Sequence, residues 1–299
     1  MLKKLEDDVQ RAAASIVDEV LRDGGGDFVT QVAARLPLKV ICDMMGIPES
    51  HYETVFSASN IILGAADPEY VAQTGDAMEA INQILTAGGE LHSLVSDLGK
   101  HRRENPTDDL TSALVNASID GESLTDAELG SFFILLVVAG NETTRNAIAH
   151  GLNLLSENPD QGDILKADLA GTLPSAVEEI VRVASPVVWM RRTATRSTTL
   201  RGQDLVEGDK LLLAYWSANR DEERFTNPFD FDVRRTPNEH LGFGGPGPHF
   251  CLGAHLARRE ITVMLRELFT RVPTITATGP ADRLRSSFIN GIKHLPFSI

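Results

Sequence analysis

A helical pattern runs without a breaker from Thr125 to Asn158-Pro159, more than thirty residues. That is unusually long for a helix of a globular protein. Thr125 and Glu128 have the spacing of a capping box and mark its start. The stretch Phe132 to Ala139 is apolar on most faces. A helix apolar all round is buried, so this one is predicted to run through the middle of the molecule. Phe132 to Ala139 is also the longest apolar run in the chain. It is far short of the roughly 20 residues that span a bilayer, so no transmembrane segment is expected.

The segments before it also read as helices. Leu5, Val9, Ile16, Val17, Val20 and Leu21 recur at helical spacing and predict an amphipathic helix over 3–22, stopped by Gly24, Gly25 and Gly26. Asp27 can cap a second helix, which Pro37 interrupts and Gly46 ends. Pro48 can open a third that runs to Leu63. A long helix is expected from Pro68 to Asn105-Pro106. The character changes after a short helix at 174–184. Residues 188–200, 205–206 and 210–215 are strand-like, with Glu207-Gly208-Asp209 as the turn between the last two. From Asn219 to Phe250 there is little periodicity, and a structureless stretch of that length usually has a function. A helix over 252–272 and short strands around 273–278 and 287–298 close the chain. The reading is mainly α with a small β region, in one large domain or two small ones.

Lys plus Arg number 28 and Asp plus Glu 42, a net charge of −14. That argues against a general binder of nucleic acid or of anionic membrane surfaces. The two cysteines, Cys42 and Cys251, cannot make a disulfide framework, and a reduced cytoplasmic compartment is expected.

Three places carry chemistry. Cys251 ends a glycine-rich run, Gly242-Phe243-Gly244-Gly245-Pro246-Gly247-Pro248-His249-Phe250, and a helix is expected to begin directly after it. The free N–H groups and dipole of that helix would stabilise a thiolate, a ligand suited to a soft metal and to haem iron. A buried cysteine beside a loop is the bland alternative. Zinc is another, with His249, Cys251, His255 and a distant Cys42, although the spacing is not a usual one. The second place is Ala139-Gly140-Asn141-Glu142-Thr143-Thr144, an acid and a hydroxyl in the centre of a buried helix. Thr143 can bond back to the carbonyl of Ala139 and bend the helix. A polar face emerging into solvent explains the same residues. The third is Glu179-x-x-Arg182, a pattern also present at Glu19/Arg22 and Glu142/Arg145. In isolation it reads as a solvated ion pair.

Taken together and in this order, the three motifs resemble cytochrome P450, the haem-thiolate monooxygenase family. The separations are compatible, 36 residues from Thr143 to Glu179 and 72 from Glu179 to Cys251. The resemblance extends from residue 1 to 299 and implies a single, N-terminally truncated domain over 1–299. It implies a mostly helical prism with a small β region and haem b as cofactor. Cys251 would be the iron ligand, and Thr143 with Glu142 the alcohol–acid pair that delivers protons. Ala139 and Gly140 would form the helix wall above the haem. Arg192 and His249 would contact propionates, and Phe243 and Gly253 would line the cofactor. Glu179 and Arg182 would be the structural ion pair, completed by Arg234 or Arg235. Apolar Val188, Met190 and Phe288 fall near substrate positions. The family's usual Phe seven residues before the Cys is Gly244 here, with Phe243 one further away. This longer loop, Ala-Gly-Asn-Glu-Thr-Thr, and Phe288-Ile289-Asn290-Gly291-Ile292-Lys293 resemble actinobacterial enzymes that oxidise terminal methyls of branched lipids and sterol side chains. Residue 1 aligns near the family's fourth main helix, so the N-terminal helices and first β strands of the fold are expected to be absent.

The resemblance implies oxygen insertion from O2 into a C–H bond of a hydrophobic substrate. Electrons would come from a ferredoxin and its NAD(P)H-dependent reductase. Arg258 and Arg259, or Arg102 and Arg103, are candidate basic patches for such a partner. A catalytically incompetent truncated haem-fold fragment and a zinc-binding helical protein are the competing readings.

Overall fold

The computed structural model describes residues 2–72, 77–118 and 120–299, with the side chains of residues 2–5 left aside. Helix α1 spans Leu2–Asp23. Its expected apolar face is buried at Val9, Ile16, Val17 and Val20, whereas Leu21 is exposed and Leu5 lies outside the described side chains. A short π-helical turn, Val29–Ala33, precedes α2 at Arg35–Met45. Asp27 accepts from the Val29 N–H at this entry, as a capping residue does. Pro37 does not interrupt α2. It sits in the first turn, where its missing N–H has no partner to lose. Gly46 ends α2 at φ 71°, a left-handed cap that suits glycine.

Pro48, extended, precedes a 3-10 turn and then α3 at Tyr52–Leu63. The next long helix, α4, runs Ala77–Glu104, so it begins well beyond Pro68. Residues 67–71 form turns instead, and 73–76 lie outside the described residues. A short α5 at Leu110–Val115 is capped by Asp109, which accepts from the Ser112 N–H.

Helix α6, Asp126–Glu157, has 32 residues and opens on the full capping box of Thr125 and Glu128. Two apolar cores meet along it. One gathers Leu129, Phe133, Val137 and Val138 with buried residues of α2, α3 and α4. The other gathers Ala147, Ile148, Leu152 and Leu155 with α1, α8 (Leu169–Ala184) and α10 (Ala254–Arg271). The polar stretch from Asn141 to Asn146 falls at the seam between them. The expectation of burial all round fails on one face: Leu135 is 60% exposed and Ala139 is exposed too. With Thr143, half-buried, they stand four residues apart and so form one open stripe.

Helix α7 is Pro159–Ala167 and α9 is the single turn Tyr215–Ala218. The strands are short: β1 Gly26–Asp27, β2 Trp189–Thr193, β3 Thr198–Leu200, β4 Gln203–Leu205 and β5 Lys210–Ala214. Near the C-terminus come β6 Thr276–Ala277, β7 Asp282–Arg283, β8 Ile292–His294 and β9 Pro296–Ser298. The turn at Glu207-Gly208-Asp209 joins β4 to β5, but these two do not pair with each other. β5 pairs antiparallel with β2 and β4 with β3, while β9 bridges β1 and β6. The strand-like sequence was therefore two nested hairpins rather than one. Between Ala218 and Ala254 there is no helix or strand.

Candidate functional site

The Cys251 loop is closed at its base by the Cys251 N–H donating to the Phe243 carbonyl at 3.0 Å. Gly244 at φ 83° and Gly247 at φ 137° carry its turns in conformations that favour glycine. Cys251 is exposed, and so are all its neighbours from Pro246 to Gly253. A Cβ added at Gly245, Gly247 or Gly253 would meet nothing within 4 Å, so the loop presents bare backbone to open space. Helix α10 begins three residues after the thiol, at Ala254. The expected help from its N-terminus is present but outweighed. Burial behind the sulfur raises the thiol pKa, and the Gly253 N–H and the charge of Arg258 only partly offset it.

A charged cluster that no sequence spacing announced stands behind this loop. Arg258 donates from Nε to Glu178 Oε1 at 2.6 Å and from a terminal nitrogen to Oε2 at 2.9 Å. His240 Nε2 lies 3.0 Å from the same carboxylate. The Arg258 guanidinium also covers the Phe243 ring at 4.2 Å. Burial opposes the Glu178 charge, but His240 and Arg258 outweigh it and hold its pKa down to about 2. Arg258 is thus tied into the loop's support and is not a free docking charge. Arg102 pairs with Asp109 and Arg103 with Asp126, so those two are also engaged within the chain.

At the seam of α6, Thr143 Oγ1 donates to the Ala139 carbonyl at 2.8 Å, the back-bond expected from sequence. Helix geometry nevertheless continues through this turn. Glu142 is buried and takes the other direction. Its Oε2 accepts from Arg145, whose second terminal nitrogen donates to Asn60 Oδ1 of α3 at 2.7 Å. Burial raises the Glu142 pKa, and Arg145 opposes that rise. The acid and the alcohol are neighbours in sequence without a direct hydrogen bond between them.

Glu179 and Arg182 are both fully buried. Two parallel hydrogen bonds of 2.8 Å join them. Arg235, not Arg234, completes the group at 3.1 Å. Arg182 also donates to the carbonyls of Asn219, Pro228 and Asp230, so the pair pins the irregular segment 219–253 to α8. This is no solvated surface pair. Burial works against the Glu179 charge, but the Arg182, Asp232 and Arg235 donors hold its pKa down.

Val188 and Phe288 come together: the Val188 N–H donates to the Phe288 carbonyl at 2.9 Å. Met190 lies on β2 opposite Leu213. Arg192 is half-buried on the same strand and donates only to the neighbouring Arg191 carbonyl, and His249 is exposed. Cys42 is buried in the core around α2 and α3, and burial pushes its pKa up to about 12. Among the described residues His249, Cys251 and His255 form no ligating cluster; the one such cluster is Glu69, Asp282 and His294. The zinc reading has no geometric support.

An exposed thiol on a bare glycine loop, an open stripe on a long central helix, and a buried Glu–Arg–Arg hub holding the segment that leads to the loop are the features a thiolate-ligated cofactor protein needs. The sequence model of the cytochrome P450 family matches residues 75–284, and the chain belongs to this family. A methyl-branched lipid omega-hydroxylase of Mycobacterium tuberculosis is 48% identical over 299 residues, covering 99% of this chain and 68% of that protein. A steroid C26-monooxygenase of Mycolicibacterium smegmatis is 40% identical over 291 residues, covering 97% of this chain and 65% of that one. Among solved structures, a Mycobacterium marinum cytochrome P450 in complex with pseudoionone superposes with a TM-score of 0.95 at 42% identity, over 99% of this chain and 71% of that chain. The chain is an oxidoreductase of that family, and among its described helices none is long and apolar enough to cross a membrane.

The family implies haem, and the residues fit it. Cys251 offers one exposed soft donor. The open glycines leave room for a flat ring, and Leu252, 84% exposed beside the thiol, offers apolar surface to it. Arg192 and His249 supply polar groups able to meet carboxylates.

Proposed function

We propose that the chain is a haem-thiolate monooxygenase acting on a methyl-branched lipid or a sterol side chain. It inserts one oxygen atom of O2 into a C–H bond: substrate R–H, O2, two electrons and two protons give R–OH and water. The electrons come from a ferredoxin served by an NAD(P)H-dependent reductase. The cofactor is haem b, whose thiolate-ligated iron supplies the O–O cleavage chemistry. Cys251 holds the iron as a thiolate, and Phe243 and Gly253 line that side. Arg192 and His249 hold the propionates. Ala139 and Gly140 would form a helix wall against the haem. Thr143 presents its hydroxyl on the open stripe and passes protons there, resupplied by Glu142. Val188, Met190 and Phe288 contact the apolar substrate.

The observation that carries this reading is the thiol of Cys251, exposed on an open glycine loop at the entry to α10. The lipid and steroid relatives support the substrate class. The test is the spectrum of the haem-loaded, reduced protein under carbon monoxide. A thiolate-type Soret band is expected, and its loss in Cys251→Ser, because a serine hydroxyl stays protonated and is not a soft donor. No band in the parent protein, or the same band in the variant, overturns the reading.

A further inference from the structure

The sequence holds the Glu-x-x-Arg spacing three times, and two of the three pairs are buried. They are built to different standards. At Glu179–Arg182 every side-chain atom is used. Both carboxylate oxygens accept from two or more donors, and all three guanidinium nitrogens donate. That is how a buried ion pair that only holds structure should look, since each unmet polar atom costs free energy.

Glu142–Arg145 has the same spacing and the same burial, with Glu142 at 1% exposure and Arg145 at 2%. Yet Glu142 Oε1 and Arg145 Nε have no partner among the described residues, nor has either amide atom of Asn141, on the same face one turn before Arg145. Four orphaned polar atoms thus cluster within one and a half turns of α6, at the seam of the two cores. Arg145 is meanwhile fixed at both ends of its fork. One nitrogen holds Glu142 Oε2, the other holds Asn60 of α3, and the Phe56 ring lies 5.8 Å from its centre. The geometry pins one carboxylate oxygen and leaves the other buried, without a protein partner among the described residues, amid other unpartnered polar atoms. Ordered water is the ordinary occupant of such a site.

We propose that Arg145, anchored on Asn60, is the positioning residue for Glu142: it fixes the carboxylate through Oε2, so that Oε1 is held ready to exchange a proton with bound water. This rests on the reading of Glu142 as the acid that resupplies Thr143. It adds a residue from outside the acid–alcohol pair and ties the state of that acid to helix α3. Arg145 acts through Glu142 and does not itself touch the reacting atoms.

The test reads the charge of Glu142 directly. Infrared difference spectra recorded against pH give its carboxyl band, assigned by its loss in Glu142→Gln, in protein with or without haem. In Arg145→Gln the ionisation of Glu142 is expected to move to higher pH, a rise in proton affinity between about tenfold and a thousandfold, as follows from removing an opposite charge in contact. Arg145→Lys should restore most of the parent behaviour. Circular dichroism confirms that each variant is folded, and if Arg145→Gln fails to fold, Asn60→Ala replaces it, with a smaller shift in the same direction. An unchanged Glu142 titration in a folded Arg145→Gln or Asn60→Ala protein overturns the proposal. If the titration shifts as expected but Glu142→Gln leaves the yield of product per O2 unchanged, the positioning role stands and the proton-delivery reading of Glu142 fails instead.

Discussion

Glu260 sits on α10, nine residues beyond Cys251, with its carboxyl buried and Oε2 without a partner among the described residues. Burial alone drives its pKa from an ordinary 4.5 up to about 8. At neutral pH the folded protein therefore keeps this proton while the unfolded chain releases it. The folded-state pKa is the higher one, so the stability is fully present below pH 4.5 and is lost as pH rises to about 8. The slope is about 1.4 kcal/mol per pH unit. Across the 2.5 units from 4.5 to pH 7 the loss reaches about 3 kcal/mol, and it levels off above about pH 8. Glu260→Gln keeps the shape and removes the titration. Urea unfolding of both proteins from pH 4.5 to 8.5 should give a stability difference that grows steadily in favour of the variant. His150 titrates in the opposite sense: buried beside Arg283, its pKa falls to about 4, so its contribution is lost as pH drops below 6.5. That contribution is common to both proteins and cancels in the difference. A difference that stays constant over the whole range would refute the account, because it would mean that Glu260 ionises alike in both states.

Arg182→Met should cost about 3–5 kcal/mol in the same unfolding assay, because it removes both parallel bonds to the buried Glu179, leaving that carboxylate the longer contact with Arg235, and frees the carbonyls of Asn219 and Pro228. Arg235→Ala should cost less, since Arg182 still pairs with Glu179. Arg258→Glu sets a second carboxylate against Glu178 and removes the cover of Phe243, so it should lower the melting temperature. An unchanged melting temperature would return Arg258 to the role of a free surface charge. Thr143→Ala should leave haem binding intact and raise the peroxide released per electron supplied, measured in the reconstituted enzyme. An unchanged product yield would leave Thr143 with only its back-bond to Ala139.

Much of this molecule was legible where one local rule acts alone. The capping box at Thr125, the left-handed cap at Gly46 and the periodicity of α1 and α6 each need only a few neighbouring residues. Distance defeated much of the rest. The pairing of β2 with β5 encloses a whole hairpin, and within it β3 meets β4 across the two-residue turn Arg201-Gly202, both at positive φ, a local signal masked by the strand-like run over 188–200. Pro37 read as a breaker because its position within the first turn depends on where the preceding π-helical turn hands over to α2. The apolar run at Phe132–Ala139 read as buried because composition cannot reveal that one face opens at Leu135 and Ala139. At the site, Cys251 and Glu179–Arg182 carried recognisable spacings. Asn60, 85 positions before Arg145, and Glu178, 80 before Arg258, carried none.

The grip of Arg182 and Arg235 on segment 219–253 falls mostly on main-chain oxygens. Between them they hold the carbonyls of Asn219, Thr226, Asn227, Pro228 and Asp230. A carbonyl is the same whichever side chain it belongs to. The course of this segment is therefore held in part by two charged residues of α8, Glu179 and Arg182, and by Arg235 within the segment, through groups that do not depend on the side chains at the gripped positions. Exposed side chains at 226 and 230 can therefore change while the path leading to the cysteine loop keeps its shape, and the tolerance ends at the two arginines and Glu179, at the buried Phe225, Pro228, Phe231 and Val233, and at the turn glycines.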